Sequence, residues 1–230
     1  MKKLVIAGAL VSGALLTGCG VVDSIGGPTH QEENSYDVRD EVTKIQLRSD
    51  AGDVVITESD RSGIRVTETL HWRDDKPKPE HRVDGGVLEL SYDCNKVLNS
   101  CGVDYRIEVP KGLAMDLETG AGDMTLRALS GEVGVRSGAG DITAEGLTGK
   151  RLTANSGAGS VKLAYSAVPD NVSVETGAGD ATVTLPKESY DVQVTTGVGD
   201  DEIAVQDDPG SPRKIKVETG AGDARVLARG

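Results

Sequence analysis

Phenylalanine is missing from all 230 residues, and the remaining aromatics are Trp72 and five tyrosines. An interior without that ring has to be filled with aliphatic side chains, which favours something thin and repetitive over a deep core. Long apolar runs are scarce too. The longest, Leu4–Leu16, has thirteen residues, short of the ~20 that cross a bilayer as a helix. Positive charge is in deficit: 25 Lys and Arg face 37 Asp and Glu, for a formal net charge of −12 and a pI near 4.7. So acidic a chain has no electrostatic footprint for phosphates, which argues against a nucleic-acid binder. What the chain has in excess is glycine, 30 residues or about 13%, against a usual share of ~7%. With 27% charged residues wholesale disorder is not expected, and the length suits one domain with a tail.

The first residues read as an address. Met1-Lys2-Lys3 is a basic start, and Leu4–Leu16 has the length of a secretory h-region. It ends in Leu16-Thr17-Gly18-Cys19, an aliphatic residue, two small ones and a cysteine. This resembles the lipobox of bacterial lipoproteins, and the alternative is an ordinary signal peptide with an incidental cysteine. The expectation is a signal peptide over 1–18, with Cys19 lipidated as the first mature residue. Several acyl chains on one cysteine would hold a protein at a membrane where one chain does not. Residues 19–40 lack sustained alternation and carry Gly26-Gly27-Pro28, which predicts a flexible tether. The implied location is the cell membrane, lipid-anchored, on the extracytoplasmic side. Outside the cytoplasm Cys94 and Cys101 are expected to pair as a disulfide, since no His or further Cys lies near enough to suggest a metal.

A repeat dominates the rest. Ser/Thr-Gly-Ala-Gly-Asp ends at Asp123, Asp141, Asp180 and Asp223, and near copies end at Ser160 and Asp200. The spacings are 18, 19, 20, 20 and 23, and a degenerate seventh copy is Ser49-Asp50-Ala51-Gly52-Asp53. Apolar-x-apolar pairs precede each copy (Met115/Leu117, Val133/Val135, Leu152/Ala154, Val172/Val174, Val192/Val194, Ile215/Val217) and follow most of them. Runs this short with period two are strands with one buried face. No sustained 3.6-residue pattern follows the first apolar run.

The fold expected is therefore all-β: a parallel β-solenoid of about 20-residue coils over 41–230. Residues 41–110 would form decorated early coils that cap one end, and 111–230 the regular repeats. The alternative is an antiparallel meander or sandwich, with each glycine turn a hairpin tip. The solenoid is preferred because a strict period keeps Val133, Leu152, Val172, Val192 and Ile215 in one ladder. A narrow interior would also account for the missing phenylalanine.

Stacked coils would line up Asp123, Asp141, Asp180, Asp200 and Asp223, interrupted by Ser160. Neighbouring carboxylates at strand spacing repel by about 0.9 kcal/mol even in water. Hydrogen bonds from the backbone of each turn would offset that. The alternative is bound calcium on the same five aspartates, but one carboxylate per coil is few for an ion that takes about six to eight oxygens. No cofactor is expected on the first account. The hydroxyls of Thr119, Ser137, Ser156, Thr176, Thr196 and Thr219 would form a hydrogen-bonded ladder. Trp72 and Tyr92 could make a sugar-stacking patch, although packing of the capping coil explains a lone Trp equally well. His30, His71 and His81 have no nucleophile or metal partner at a telling spacing, so catalysis is not expected.

The whole pattern, Val-x-Val-x-Thr-Gly-Ala-Gly-Asp downstream of His71-Trp72, Tyr92-Asp93-Cys94, Cys101-Gly102-Val103-Asp104-Tyr105 and Ile107-Glu108-Val109-Pro110, resembles a bacterial putative-adhesin family of unknown function, akin to auto-transporter adhesin head domains. The resemblance covers residues 41–230. It implies a surface-exposed β-solenoid without known catalytic residues, presenting itself to an envelope glycan or protein. A polysaccharide-active β-helix enzyme is a distant alternative.

Overall fold

The computed structural model describes residues 29–94 and 101–230. The expected signal peptide, Cys19 and the first part of the tether lie outside the described residues. Seven strands come first: β1 (His30–Val38), β2 (Lys44–Ala51), β3 (Val54–Glu58), β4 (Ile64–Trp72), β5 (Lys78–Asp84), β6 (Val87–Asp93) and β7 (Cys101–Val109). Paired strands follow at the repeat period. They are β8 (Ala114–Ala121) with β9 (Met124–Arg127), β10 (Val133–Ala139) with β11 (Ile142–Leu147), β12 (Arg151–Ala158) with β13 (Val161–Tyr165), and β14 (Asn171–Ala178) with β15 (Ala181–Leu185). The chain finishes with β16 (Ser189–Val198), β17 (Asp201–Ile203), β18 (Gln206–Asp207), β19 (Lys214–Ala221) and β20 (Ala224–Ala228).

These strands build two ten-stranded sheets, and the repeat coils pair in parallel. The fold is the expected parallel β-solenoid and not the meander. Each coil gives one strand to each sheet, and Gly-Ala-Gly-Asp is the corner between them. Period-two burial follows: Val133 and Val135 of β10 face in with Ile142 and Ala144 of β11, while Gly134 and Arg136 face out. Burying each such Val, Leu or Ile stabilises the stack by about 1.5–3 kcal/mol.

The stacking order departs from the sequence order at one end. β19 pairs with both β14 and β16, and β20 with both β15 and β17. The C-terminal coil therefore lies between its two predecessors, and the coil of β16 and β17 is outermost. The ladder reads Met115, Val133, Leu152, Val172, Ile215, Val192. The last coil is thus internal, and the Arg229 guanidinium reaches Tyr165 O and Ser166 Oγ at 3.1 and 2.9 Å.

At the other end β2 and β3 lie beside β8 and β9, followed by β6 and β7. The antiparallel strands β1, β4 and β5 then close that end. Here the expected tether needs correction, because His30–Val38 is a strand paired with β4 over its whole length. Its residues are too polar to show an apolar alternation, and the pairing comes from β4. The explanation for the missing phenylalanine also changes. Tyr105, Tyr165 and Tyr190 are fully buried, so the interior does admit rings. Two of their hydroxyls reach backbone carbonyls, Tyr105 to Ser91 O and Tyr190 to Pro186 O, a bond phenylalanine cannot make.

Candidate functional site

The repeat motif concentrates its chemistry at one corner of the stack. Two glycines are needed there for different reasons. The second, Gly140 in the β10–β11 coil, has φ +133°, and a Cβ on it would stand 2.2 Å from Gly122 O of the neighbouring coil. The first, Gly138, has no positive φ, yet a Cβ there would sit 2.5 Å from Gly120 O. Coil spacing alone therefore requires the first glycine, whereas the second is also set by its backbone angle.

The hydroxyl column faces inward. Ser49, Thr119, Ser137, Ser156, Thr176 and Thr219 are buried, and Thr196 is half-buried. Instead of bonding each other as a ladder, most donate to corner carbonyls: Thr176 to Gly159 O at 2.8 Å, Thr219 to Gly179 O and Thr196 to Gly222 O, both at 2.9 Å. Ser137 Oγ is buried without a partner among the described residues.

The aspartates form a relay from coil to coil. The Asp123 amide donates to Asp53 Oδ1 at 2.9 Å, Asp141 to Asp123 at 2.8 Å and Ser160 to Asp141 at 2.7 Å. Ser160 passes it on more weakly, its hydroxyl 3.3 Å from the Asp180 amide. Beyond it Asp223 donates to Asp180 and Asp200 to Asp223, both at 2.9 Å. The acceptor is the carboxylate of the neighbouring coil, not of the same turn as expected. The order is also 180, 223, 200. A charge-assisted bond of this kind is worth about 1.5–3 kcal/mol when shielded, enough to outweigh the repulsion. The Asp200 amide, with help from Arg225, holds the Asp223 carboxyl below the usual range.

The relay begins one step earlier than the repeats suggest. Asp104 Oδ1 accepts the Asp53 amide at 2.9 Å, and its other oxygen meets His71 Nε2 at 2.8 Å. The signal was present as Gly102-Val103-Asp104, a corner without its second glycine. Another missed group is Glu68 on β4, buried and accepting the Tyr36 hydroxyl at 2.8 Å. It falls in the inward phase of Val66-x-Glu68-x-Leu70, which could have revealed it. Burial pushes its carboxyl up, opposed by the Tyr36 bond and by His81.

The remaining sequence candidates are dispersed. Cys94 and Cys101 are joined as a disulfide. Trp72 and Tyr92 sit on strands of different sheets and make no shared patch. Trp72 stacks with His30 at 5.5 Å, and the Tyr92 hydroxyl bonds both Ala51 O and Ala51 N at 2.8 and 2.6 Å. His81 stacks on Tyr36 at 4.2 Å. Among the described residues no group of three or more His, Cys, Asp or Glu side chains is arranged to hold a metal ion. No helix there is long and apolar enough to cross a membrane.

Residues 98–228 match the family described as Toastrack DUF4097. Among solved structures, a putative cell adhesion protein from Clostridium sporogenes is similar, with a TM-score of 0.52 at 20% identity over 87% of this chain and 100% of its own. A putative adhesin from Bacteroides fragilis aligns at 18% identity over 88% of this chain and 100% of its own, with a TM-score of 0.47. No curated protein matches the sequence.

Proposed function

We propose, on the premise that the chain belongs to the Toastrack DUF4097 family, that it is a non-catalytic, lipid-anchored protein of the bacterial envelope that presents a rigid solenoid for adhesion. The observation that carries this reading is the corner relay. Most of the motif's glycines and aspartates, and several of its hydroxyls, join one coil to the next, so the repeat builds a stiff support for what its surfaces touch. The partner is an envelope glycan or protein. The Clostridium sporogenes neighbour, described as a putative cell adhesion protein, supports this choice. The lipobox at Cys19 and the Cys94–Cys101 disulfide support export and anchoring. On this reading the aspartate column is held by amides and takes no cofactor.

The test is the full chain expressed in a bacterium fed an alkyne fatty acid. Label on the wild type, with loss of both label and membrane retention in Cys19→Ala, is the expected result. Cells expressing the wild type, which retain the protein, are then compared with cells expressing Cys19→Ala, which do not, for binding to purified envelope polymers and surface proteins. Label that survives without Cys19 overturns the anchor. Failure to bind any envelope polymer or surface protein overturns adhesion.

A further inference from the structure

The two ends of the stack are finished differently. At the β1/β5 end, antiparallel strands rich in charge and carrying Pro79 occupy the sheet edges, which is how natural sheets discourage further pairing. The Tyr36–His81 ring stack, one ring from each edge strand, closes that end further.

The opposite end is only partly closed. β18 covers β16 at Ser189 and Tyr190, and Asp207 Oδ1 takes the outward amide of Val192 at 3.1 Å. Since the Asp191 amide points inward to Arg213 O, alternation turns the Val194 and Thr196 amides outward. Among the described residues no strand lies on the outer side of these amides, or on the side of β17 away from β20. Val198 and Ile203, 74% and 41% exposed, are the exposed large hydrophobics of the described chain, and both sit on this end. The relay stops here too. Asp200 gives its amide to Asp223, and among the described residues no hydrogen bond or ion pair reaches its own carboxylate.

We infer that this open edge, β16 beyond Tyr190 together with β17, docks an extended basic segment of a partner protein by adding it to the sheet. Main-chain pairing would supply affinity and alternate side chains specificity. Charge selects the occupant. Residues 189–208 contain six acids and no Lys or Arg, and Asp200 and Asp201 have no basic partner among the described residues. A second copy fits poorly. Tail to tail it would oppose Asp200, Asp201 and Glu202 to themselves, and head to tail it would meet the closed, charged β1/β5 end. A strand alternating Lys or Arg with aliphatic residues satisfies the amides, covers Val198 and Ile203, and neutralises the carboxylates.

This inference rests on the binding reading above but can fail separately from it. The purified full chain is titrated with three labelled eight-residue peptides: alternating Lys-Val, alternating Glu-Val, and Lys-Val with N-methylated amides. The first alone is expected to bind, with slowed exchange of the Val194 and Thr196 amides. Asp200→Lys combined with Asp201→Lys, both on exposed side chains, should weaken it by about tenfold or more. Unchanged affinity in that variant, equal binding of Glu-Val or of the methylated peptide, or no binding by any peptide overturns the proposal. So does a stable dimer in sedimentation, which would make the occupant a second copy. Cells carrying the double variant report on adhesion independently: if they adhere while the purified variant loses the peptide, the edge assignment stands and adhesion uses another face.

Discussion

Replacing Asp123 by Asn and, separately, by Ala distinguishes an amide relay from a charge-dependent column. Asp123 Oδ1 accepts the Asp141 amide at 2.8 Å, and the Asp123 amide donates to Asp53 at 2.9 Å. Two carboxylates therefore flank it at strand spacing. Each repels it by about 0.9 kcal/mol at the dielectric of water and ~4.8 Å. A Debye length of ~8 Å at physiological salt reduces the pair to roughly 1 kcal/mol in total. Alanine leaves the Asp141 amide without its acceptor, a loss near the lower end of the ~1.5–3 kcal/mol range because water reaches this corner. The net effect is destabilisation by about 0.5–2 kcal/mol.

Asparagine keeps an acceptor oxygen in place and removes both repulsions. Its neutral bond is weaker by roughly 1 kcal/mol, which the lost repulsion offsets, so the variant should lie within ~0.5 kcal/mol of wild type. Ser160 shows that the column tolerates a neutral member, although at 3.3 Å. Urea is the right denaturant because it leaves ionic strength free to vary. The expected order is wild type and Asn together with Ala below, and added salt should stabilise the wild type more than Asn. If Asn falls as far as Ala, the negative charge itself is needed, and the amide relay is the wrong account of the corner.

Adding 5 mM calcium, as against excess chelator, should leave the thermal midpoint unchanged, whereas a rise of several degrees would return the outer carboxylate oxygens to a metal role. Gly140→Ala should cost about 3 kcal/mol or more, from backbone strain plus a Cβ 2.2 Å from Gly122 O. Gly85→Ala, at φ +56° with nothing within 4 Å, should cost only about 1 kcal/mol, and equal losses in urea melts would sink the close-packing argument. Burial raises the Glu68 carboxyl above its ordinary 4.5, so the folded chain holds this proton more tightly than the unfolded one. That stability is present at low pH and is lost as pH rises through the raised value. Glu68→Gln, which still accepts from Tyr36, should flatten this fall as pH rises above the ordinary 4.5, and parallel pH profiles of the two urea midpoints would contradict it.

Much of the architecture was legible because the repeat carries redundant signals. The corner glycines, the inward hydroxyl and the flanking apolar pairs all recur together, so the parallel stack and its ladders follow from alignment of the copies. Legibility ended where a strand owes its existence to a neighbour. β1 buries Val38 and half-buries Tyr36, so its own pattern is weak, and the backbone of β4 decides its conformation. The partners of Asp123 were illegible for a related reason. A sequence shows that an aspartate lies beside its own turn, but only the rise from coil to coil shows that the next amide is the better-placed donor.

The exchanged order of the last two coils has a cause that the residues do show. Every other regular repeat corner is followed by an inward apolar pair, Ala181 and Val183 or Ala224 and Val226 among them, and all four are fully buried. After Asp200 the corresponding residues are Asp201 and Ile203, in register with Ala224 and Val226. Inside the stack Asp201 would be a carboxylate between aliphatic layers, and a buried unpaired charge costs several kcal/mol. On the outermost coil it faces water. The coil of β19 and β20 has the complete apolar set, so it takes the internal position and the chain folds back to insert it. The residue that forces this inversion also makes the exposed edge acidic, which ties the identity of the terminal coil to the chemistry of whatever pairs with it.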